Sequence, residues 1–124
     1  MHIHPYSAKD KAAIEKINRL CHGTVKMDWK SIIRGNAQGF YSLRGNEVLR
    51  FCVHPEMRNQ GIGKAMHLDM LRLAKQHDFK KLCMLIREDS PYLKWFVHQF
   101  GWRGIGVVRG SQVDLYKLER EIVQ

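Results

Sequence analysis

The chain has 124 residues, of which 44% are hydrophobic, with three cysteines and a formal net charge of +9. That length suits one compact domain over residues 1–124 with a core of its own, and leaves little room for two. The longest apolar run, Leu82 to Ile86, is far shorter than the roughly 20 residues a bilayer-spanning helix needs, and the opening Met-His-Ile-His-Pro-Tyr lacks the features of a secretory signal, so a cytoplasmic protein without membrane association is expected.

The positive charge predicts an acidic partner, whether nucleic acid, an acidic protein or a polyphosphate-bearing cofactor. Lys and Arg are spread along the chain in no block of five, so charge alone does not select nucleic acid. Cys21, Cys52 and Cys83 sit among apolar neighbours without a CxxC pair, and read as buried thiols of a reducing compartment. His2-x-His4 lacks further ligands at useful spacing, so no metal site is predicted.

In chain order, residues 2–6 make a short edge strand because Pro5 lacks a backbone donor. Ser7 and Asp10 form a capping box ahead of a helix that places Ala13, Ile14, Ile17, Leu20 and Cys21 on one face. Asp28 is placed to cap a short helix carrying Trp29, Ile32 and Ile33 and ending at Gly35. Residues 39–43 and 47–54 read as a hairpin turning at Arg44-Gly45-Asn46. A helix from Gly61 to about His77 follows, with Ile62, Met66, Met70, Leu73 and Ala74 along one stripe. Residues 79–86 read as a parallel strand buried on both faces. Ser90 and Pro91 open a helix with Leu93, Phe96, Val97 and Phe100 inward and Gly101 at its end. Residues 103–109 and 112–118 make a terminal hairpin whose free edge suits pairing between two copies, a homodimer.

The chemistry concentrates at Val53-His54-Pro55-Glu56-Met57-Arg58-Asn59-Gln60-Gly61-Ile62-Gly63-Lys64, a glycine-bearing turn between strand and helix. Unpaired N–H groups and the positive dipole end of a helix suit a pyrophosphate, and Arg58 and Lys64 add charge. The P-loop pattern fails, because Arg58 and Ala65 stand where it needs glycine and Ser/Thr. The dinucleotide fingerprint fails at Met66.

The string Val-x-Pro-Glu-x-Arg-x-Gln-Gly-Ile-Gly resembles the acetyl-CoA signature of the GCN5-related N-acetyltransferases (GNAT), Arg/Gln-x-x-Gly-x-Gly/Ala. The flanking elements from about Gly39 to Leu118 resemble the family in order. The resemblance implies an α/β (α+β) GNAT-like fold, a mixed central sheet flanked by helices, here with a compressed N-terminal half that leaves out one strand of the relatives. It implies an enzyme, a transferase moving acetyl from acetyl-CoA as co-substrate to a primary amine by direct attack on the thioester.

By position, Phe51, Cys52 and Val53 would pair with the pantetheine arm, and Arg58, Asn59, Gln60, Gly61, Ile62, Gly63 and Lys64 would hold the pyrophosphate. Asp89 and Ser90 lie where many relatives have an asparagine facing the cofactor. Glu47 is the first candidate base, ahead of His54. Val97 occupies the position of the relatives' tyrosine acid, so Tyr92, His98 or Tyr116 would replace it, or the thiolate would leave unaided because a thiol pKa near 8.5 makes the donor less essential. Cys52 reads as structural for want of an activating partner. The acceptor stays open, with an acidic or nucleic-acid-associated amine favoured by charge. Two further readings stand beside catalysis: a CoA-binding module without activity, and a basic nucleic-acid-binding protein using the same fold.

Overall fold

The structure, a computed structural model, describes residues 2–123. Among these residues lie seven strands and three helices. The strands β1 (His4–Pro5), β2 (Ile32–Asn36), β3 (Gly39–Arg44), β4 (Glu47–Val53), β5 (Lys81–Arg87), β6 (Arg103–Val108) and β7 (Leu115–Glu121) hydrogen-bond in the order β1-β2-β3-β4-β5-β7-β6. The sheet is mixed, because the strands 47–53 and 81–87 run parallel and the other described pairings are antiparallel. By contacts the chain forms two compact units, one holding residues through Gly45 with Leu49–Leu73, the other Asn46–Val48 with Ala74 onward.

In the first unit, β1 (His4–Pro5) is shorter than its sequence suggests and pairs with β2 (Ile32–Asn36). The backbone N–H and hydroxyl of Ser7 donate to Asp10 Oδ2 at 3.0 and 3.1 Å, closing a 3₁₀ turn ahead of α1 (Lys11–His22). Ile14 and Ile17 of that helix are buried with Ile33, Phe40 and Cys52. The predicted stripe is narrower than its periodicity suggests. Leu20 is 51% exposed, while Asn18 is buried with its amide donating to the Val25 carbonyl at 2.7 Å and accepting from Arg50 Nε at 3.3 Å. Both of its polar atoms are thereby satisfied, as burial requires.

The short helix expected around Trp29, Ile32 and Ile33 is absent, and Ile32–Asn36 is a strand. Asp28 caps only a turn, accepting from the Lys30 N–H at 3.0 Å. Ile33 is buried and Ile32 exposed, the period of two that β-branched neighbours favour. The segment before Gly39 therefore holds a strand where the sequence reading left one out. It pairs antiparallel with β3 (Gly39–Arg44), which turns at Gly45 into β4 (Glu47–Val53) as predicted.

The three-free-thiol reading also needs correction. Cys21 at the end of α1 is bonded to Cys52 on β4, with Cα atoms 6.3 Å apart, and among the described residues only Cys83 is free. Sequence spacing could not show this, because the pairing is created by α1 packing on the sheet across 31 residues.

His22, beside this bond, has a buried Nε2 with no hydrogen-bond partner, and burial followed by the charge of Arg50 lowers its pKa to about 4. The folded state then holds fewer protons than the unfolded state between about pH 4 and the unperturbed value of 6.5. Stability conferred by neutral His22 is therefore complete above that window and is lost as pH falls through it. Discounted for partial solvent screening, the loss is about 1–2 kcal/mol. Thermal melts from pH 7.5 to 4.5 are expected to show this slope, and His22→Gln to flatten it; an unchanged slope in the variant would contradict the assignment.

In the second unit, β5 (Lys81–Arg87) pairs parallel with β4 at Glu47 and Val48 and antiparallel with β7 (Leu115–Glu121) along its length. Leu82, Met84 and Ile86 are buried, but Leu85 is 48% exposed, so one face of β5 is covered where the apolar run predicts two. The helix α3 (Leu93–Gln99) ends as expected: the Trp102 N–H reaches back to the Phe96 carbonyl at 3.2 Å past Gly101. Phe96 and Trp102 are buried with ring centroids 5.6 Å apart. The last hairpin joins β7 to β6 (Arg103–Val108), an edge strand exposed along its length.

Candidate functional site

The first unit carries the turn singled out in the sequence. β4 delivers Phe51, Cys52 and Val53, all buried, to a 3₁₀ turn over Pro55–Met57. The His54 ring nitrogen Nδ1 accepts from the Glu56 N–H at 3.1 Å, so this histidine stiffens the turn. Arg58 bends back, its Nε 3.4 Å from the Val53 carbonyl and Nη2 3.8 Å from Cys21 Sγ. The chain then reverses through Asn59 (φ 64°) and Gly61 (φ 81°) into α2 (Ile62–Gln76). The left-handed asparagine was not legible as such, although asparagine tolerates that conformation better than other side chains.

The first helical bond of α2 runs from the Ala65 N–H to the Gly61 carbonyl at 3.1 Å. The N–H groups of Ile62, Gly63 and Lys64 thus precede any intrahelical acceptor, and no acidic residue occupies the first turn. A Cβ on Gly61 would meet nothing within 4 Å. Asn59, Gln60 and Lys64 are exposed. Amides without an intrahelical acceptor, a helix dipole and nearby cations are physical requirements for holding a diphosphate.

Two features that hold α2 escaped the sequence reading. A Cβ at Gly39 would lie 2.8 Å from Met66 Sδ and 2.9 Å from the Cys52 carbonyl, so only glycine lets β3 pass the helix at that point. Further along, buried Asp69 accepts from Arg34 Nε at 2.7 Å and Nη2 at 3.0 Å, from the Tyr41 hydroxyl at 2.5 Å and from Arg72. Burial alone would raise its carboxyl pKa, but the hydrogen bonds from Arg34 and Tyr41 outweigh that and leave it lowered. The same burial, with the Asp69 bond, drives the Tyr41 phenol far upward.

The second unit carries the remaining candidates. Glu47, half-buried, opens β4 opposite Cys83 in the parallel register. The Ser90 hydroxyl accepts from the Tyr92 N–H at 3.2 Å, so it caps the turn into α3. Asp89 is exposed and paired with Arg87 at 2.9 Å, which lowers its pKa through that hydrogen bond first. Tyr92 lies against Trp95 and Phe96 at 6.1 and 6.3 Å.

Val97 and His98 line a groove of about 610 Å³ between α3 and the terminal hairpin. Leu93, Val107 and Leu118 give it an apolar floor, Lys94, His98 and Tyr116 supply polar groups, and Gly104 and Gly106 leave room for it. Of the proposed proton donors, His98 and Tyr116 are thus brought together and Tyr92 is not among them. The glycines of Gly104-Ile105-Gly106 were the available signal, but a sequence does not say which face of a hairpin lies open.

The acetyltransferase (GNAT) family model matches residues 18–102, more than half of the chain. Comparison with curated proteins gives no match. Among solved structures, the chain is similar to Ard1 from Thermoplasma volcanium, with a TM-score of 0.83 at 17% identity over 99% of this chain and 98% of that one. It is also similar to the ribosomal-protein-S18-alanine N-acetyltransferase from Escherichia coli, with a TM-score of 0.80 at 14% identity, covering 99% and 94% of the two chains. A GNAT acetyltransferase from Elizabethkingia anophelis with acetyl-CoA bound gives 0.76 at 19% identity, covering 97% of each. At these identities the structures speak for the fold, and the family match adds membership: the chain belongs to the GNAT acetyltransferase family.

Proposed function

We propose that the protein is an N-acetyltransferase that takes acetyl-CoA as donor and a primary amine as acceptor. The observation that carries this reading is the turn 58–64, where three helix-start amides have no intrahelical acceptor and the same short segment carries Arg58 and Lys64. Acetyl-CoA, when bound, supplies an activated acetyl thioester. Gln60 to Lys64 hold its diphosphate through backbone N–H groups, with Arg58 at the entrance, and the buried segment Phe51–Val53 offers its backbone edge to the extended arm.

A protonated amine has no lone pair, so the chain must also accept a proton before attack and supply one afterwards. Glu47 is assigned the first task. His98 is assigned the second, because its ring shares a groove with Tyr116 and with Val97, the position that in many relatives holds the tyrosine acid. The same groove, apolar with one lysine, suits an acceptor of mixed apolar and anionic character. Val97, which has no proton to give, favours the second reading, a CoA-binding module without turnover.

Mass spectrometry of amine acceptors after incubation with isotopically labelled acetyl-CoA tests the proposal. Labelled acetyl on at least one acceptor is expected, with a loss of about 10²–10⁴-fold in Glu47→Gln if it is the base. Stabilisation by acetyl-CoA without labelling of any acceptor would leave the module reading, and the absence of both would remove the cofactor assignment.

A further inference from the structure

We propose that Cys21 and Cys52 form a reversible oxidation site, taking a hydroperoxide as oxidant and a small thiol as reductant, whose state sets the grip of the 58–64 turn on a diphosphate. The second half rests on the cofactor reading of that turn given above. Three observations carry it, all within the first unit.

The bond joins the last turn of α1 to β4 one residue before Val53, the residue whose carbonyl receives Arg58 Nε. It therefore ties a helix end to the root of the turn. The surroundings also suit both redox states. Cys21 Sγ lies 3.7 Å from the Val53 carbonyl and Cys52 Sγ 3.7 Å from the Ile17 carbonyl, so on reduction each thiol proton finds an acceptor and no buried donor is orphaned. Finally, the two sulfurs differ in access. Cys52 is fully buried, whereas Cys21 is half-buried with the Arg58 guanidinium against its sulfur, a cation that favours the attacking thiolate.

The chemistry assigns each sulfur a role. Cys21 thiolate attacks the terminal oxygen of ROOH; an S–O bond forms, the O–O bond breaks, and the departing RO⁻ takes up a proton as ROH. The Cys52 sulfur then attacks Cys21; the S–S bond forms, the S–O bond breaks, and hydroxide leaves with the Cys52 proton as water. Two electrons pass from the thiol pair to the peroxide, and two equivalents of a small thiol return them, becoming a disulfide. Oxidation fixes the strand end at the root of the turn, so the oxidised protein holds the diphosphate more tightly.

Denaturing alkylation of the full chain, followed by intact mass, reads the bond directly. One alkyl group is expected after peroxide, on Cys83, and three after dithiothreitol. Three groups after both treatments would overturn the oxidation site. Calorimetry with coenzyme A is expected to give a Kd about fivefold lower for the oxidised protein, the modest gain of preorganising one turn. Equal Kd values would overturn the control of the turn. No binding in either state, with the bond proven by mass, would overturn that control together with the cofactor reading. Cys21→Ser, checked by circular dichroism, is expected to bind like the reduced protein under both treatments, and Cys83→Ser to respond like the unaltered chain.

Discussion

Replacing Asp69 with alanine is expected to lower the unfolding free energy by about 3–5 kcal/mol, the range for removing one partner of a buried ion pair. Asp69 is 5% exposed and accepts from three side chains, so its loss leaves the Arg34 guanidinium, 18% exposed, and the buried Tyr41 hydroxyl without their shared acceptor. The penalty arises from the stranded groups more than from the attraction given up. For a domain of this size, 1 kcal/mol corresponds to a few degrees, so a fall in melting temperature of roughly 10–20 °C is expected. Asp69→Asn, which keeps an acceptor for Tyr41 but no charge for Arg34, should fall between. A melting temperature within about 3 °C of the unaltered protein would show that Arg34 and Tyr41 find solvent or other partners instead.

The consequence reaches the turn. Asp69 lies two helical turns beyond the amides of Ile62 to Lys64 and fastens α2 to β2 and β3 through Arg34 and Tyr41. Helix position is thus set by one buried charge on the same face as Ile62, Met66 and Met70, all buried. Its carboxyl pKa lies below the usual value, so its contribution is complete above the unfolded-state pKa and is lost as pH falls through the folded one. Acid is therefore expected to weaken the protein in two stages, first through His22 and then through Asp69.

Gly61→Val is expected to raise the Kd for coenzyme A at least about 100-fold while costing only about 1–2 kcal/mol of stability. At φ 81° a β-branched residue is strained, so the turn must shift. The added side chain meets nothing within 4 Å, so packing does not oppose it, but it stands on the residue that leads directly into the helix-start amides. Binding therefore suffers more than folding. Gly61→Ala, smaller but equally left-handed, should show most of the strain and less of the occlusion. Calorimetry with matched melting curves separates the two effects, and a folded Gly61→Val protein with unaltered affinity would place the diphosphate elsewhere.

Much of the site was legible because it is local. Pro55, Gly61 and the apolar stripe of α2 are neighbours in sequence as well as in space, and turn chemistry and helix capping act over only a few residues. The same holds for the turn at Gly45 and for the end of α3 at Gly101. The helix expected at Ile32 failed because two adjacent isoleucines fit either period, and pairing with β1 and β3 decided between them. Leu85 failed because a run of apolar residues does not say whether a second layer covers the far side of the sheet.

Residues close together in the chain were enough to read the strand-turn-helix around Gly61, the order of most elements and the family to which they belong, since each depends on short-range backbone preferences and a contiguous motif. Packing in three dimensions was needed to reveal the Cys21–Cys52 bond, the Arg34–Tyr41–Asp69 cluster, the contact that requires glycine at 39, and the groove shared by Val97, His98 and Tyr116. Each of these joins residues far apart in the chain. Which distant side chains meet is set by how helices and strands pack, and no local pattern encodes that.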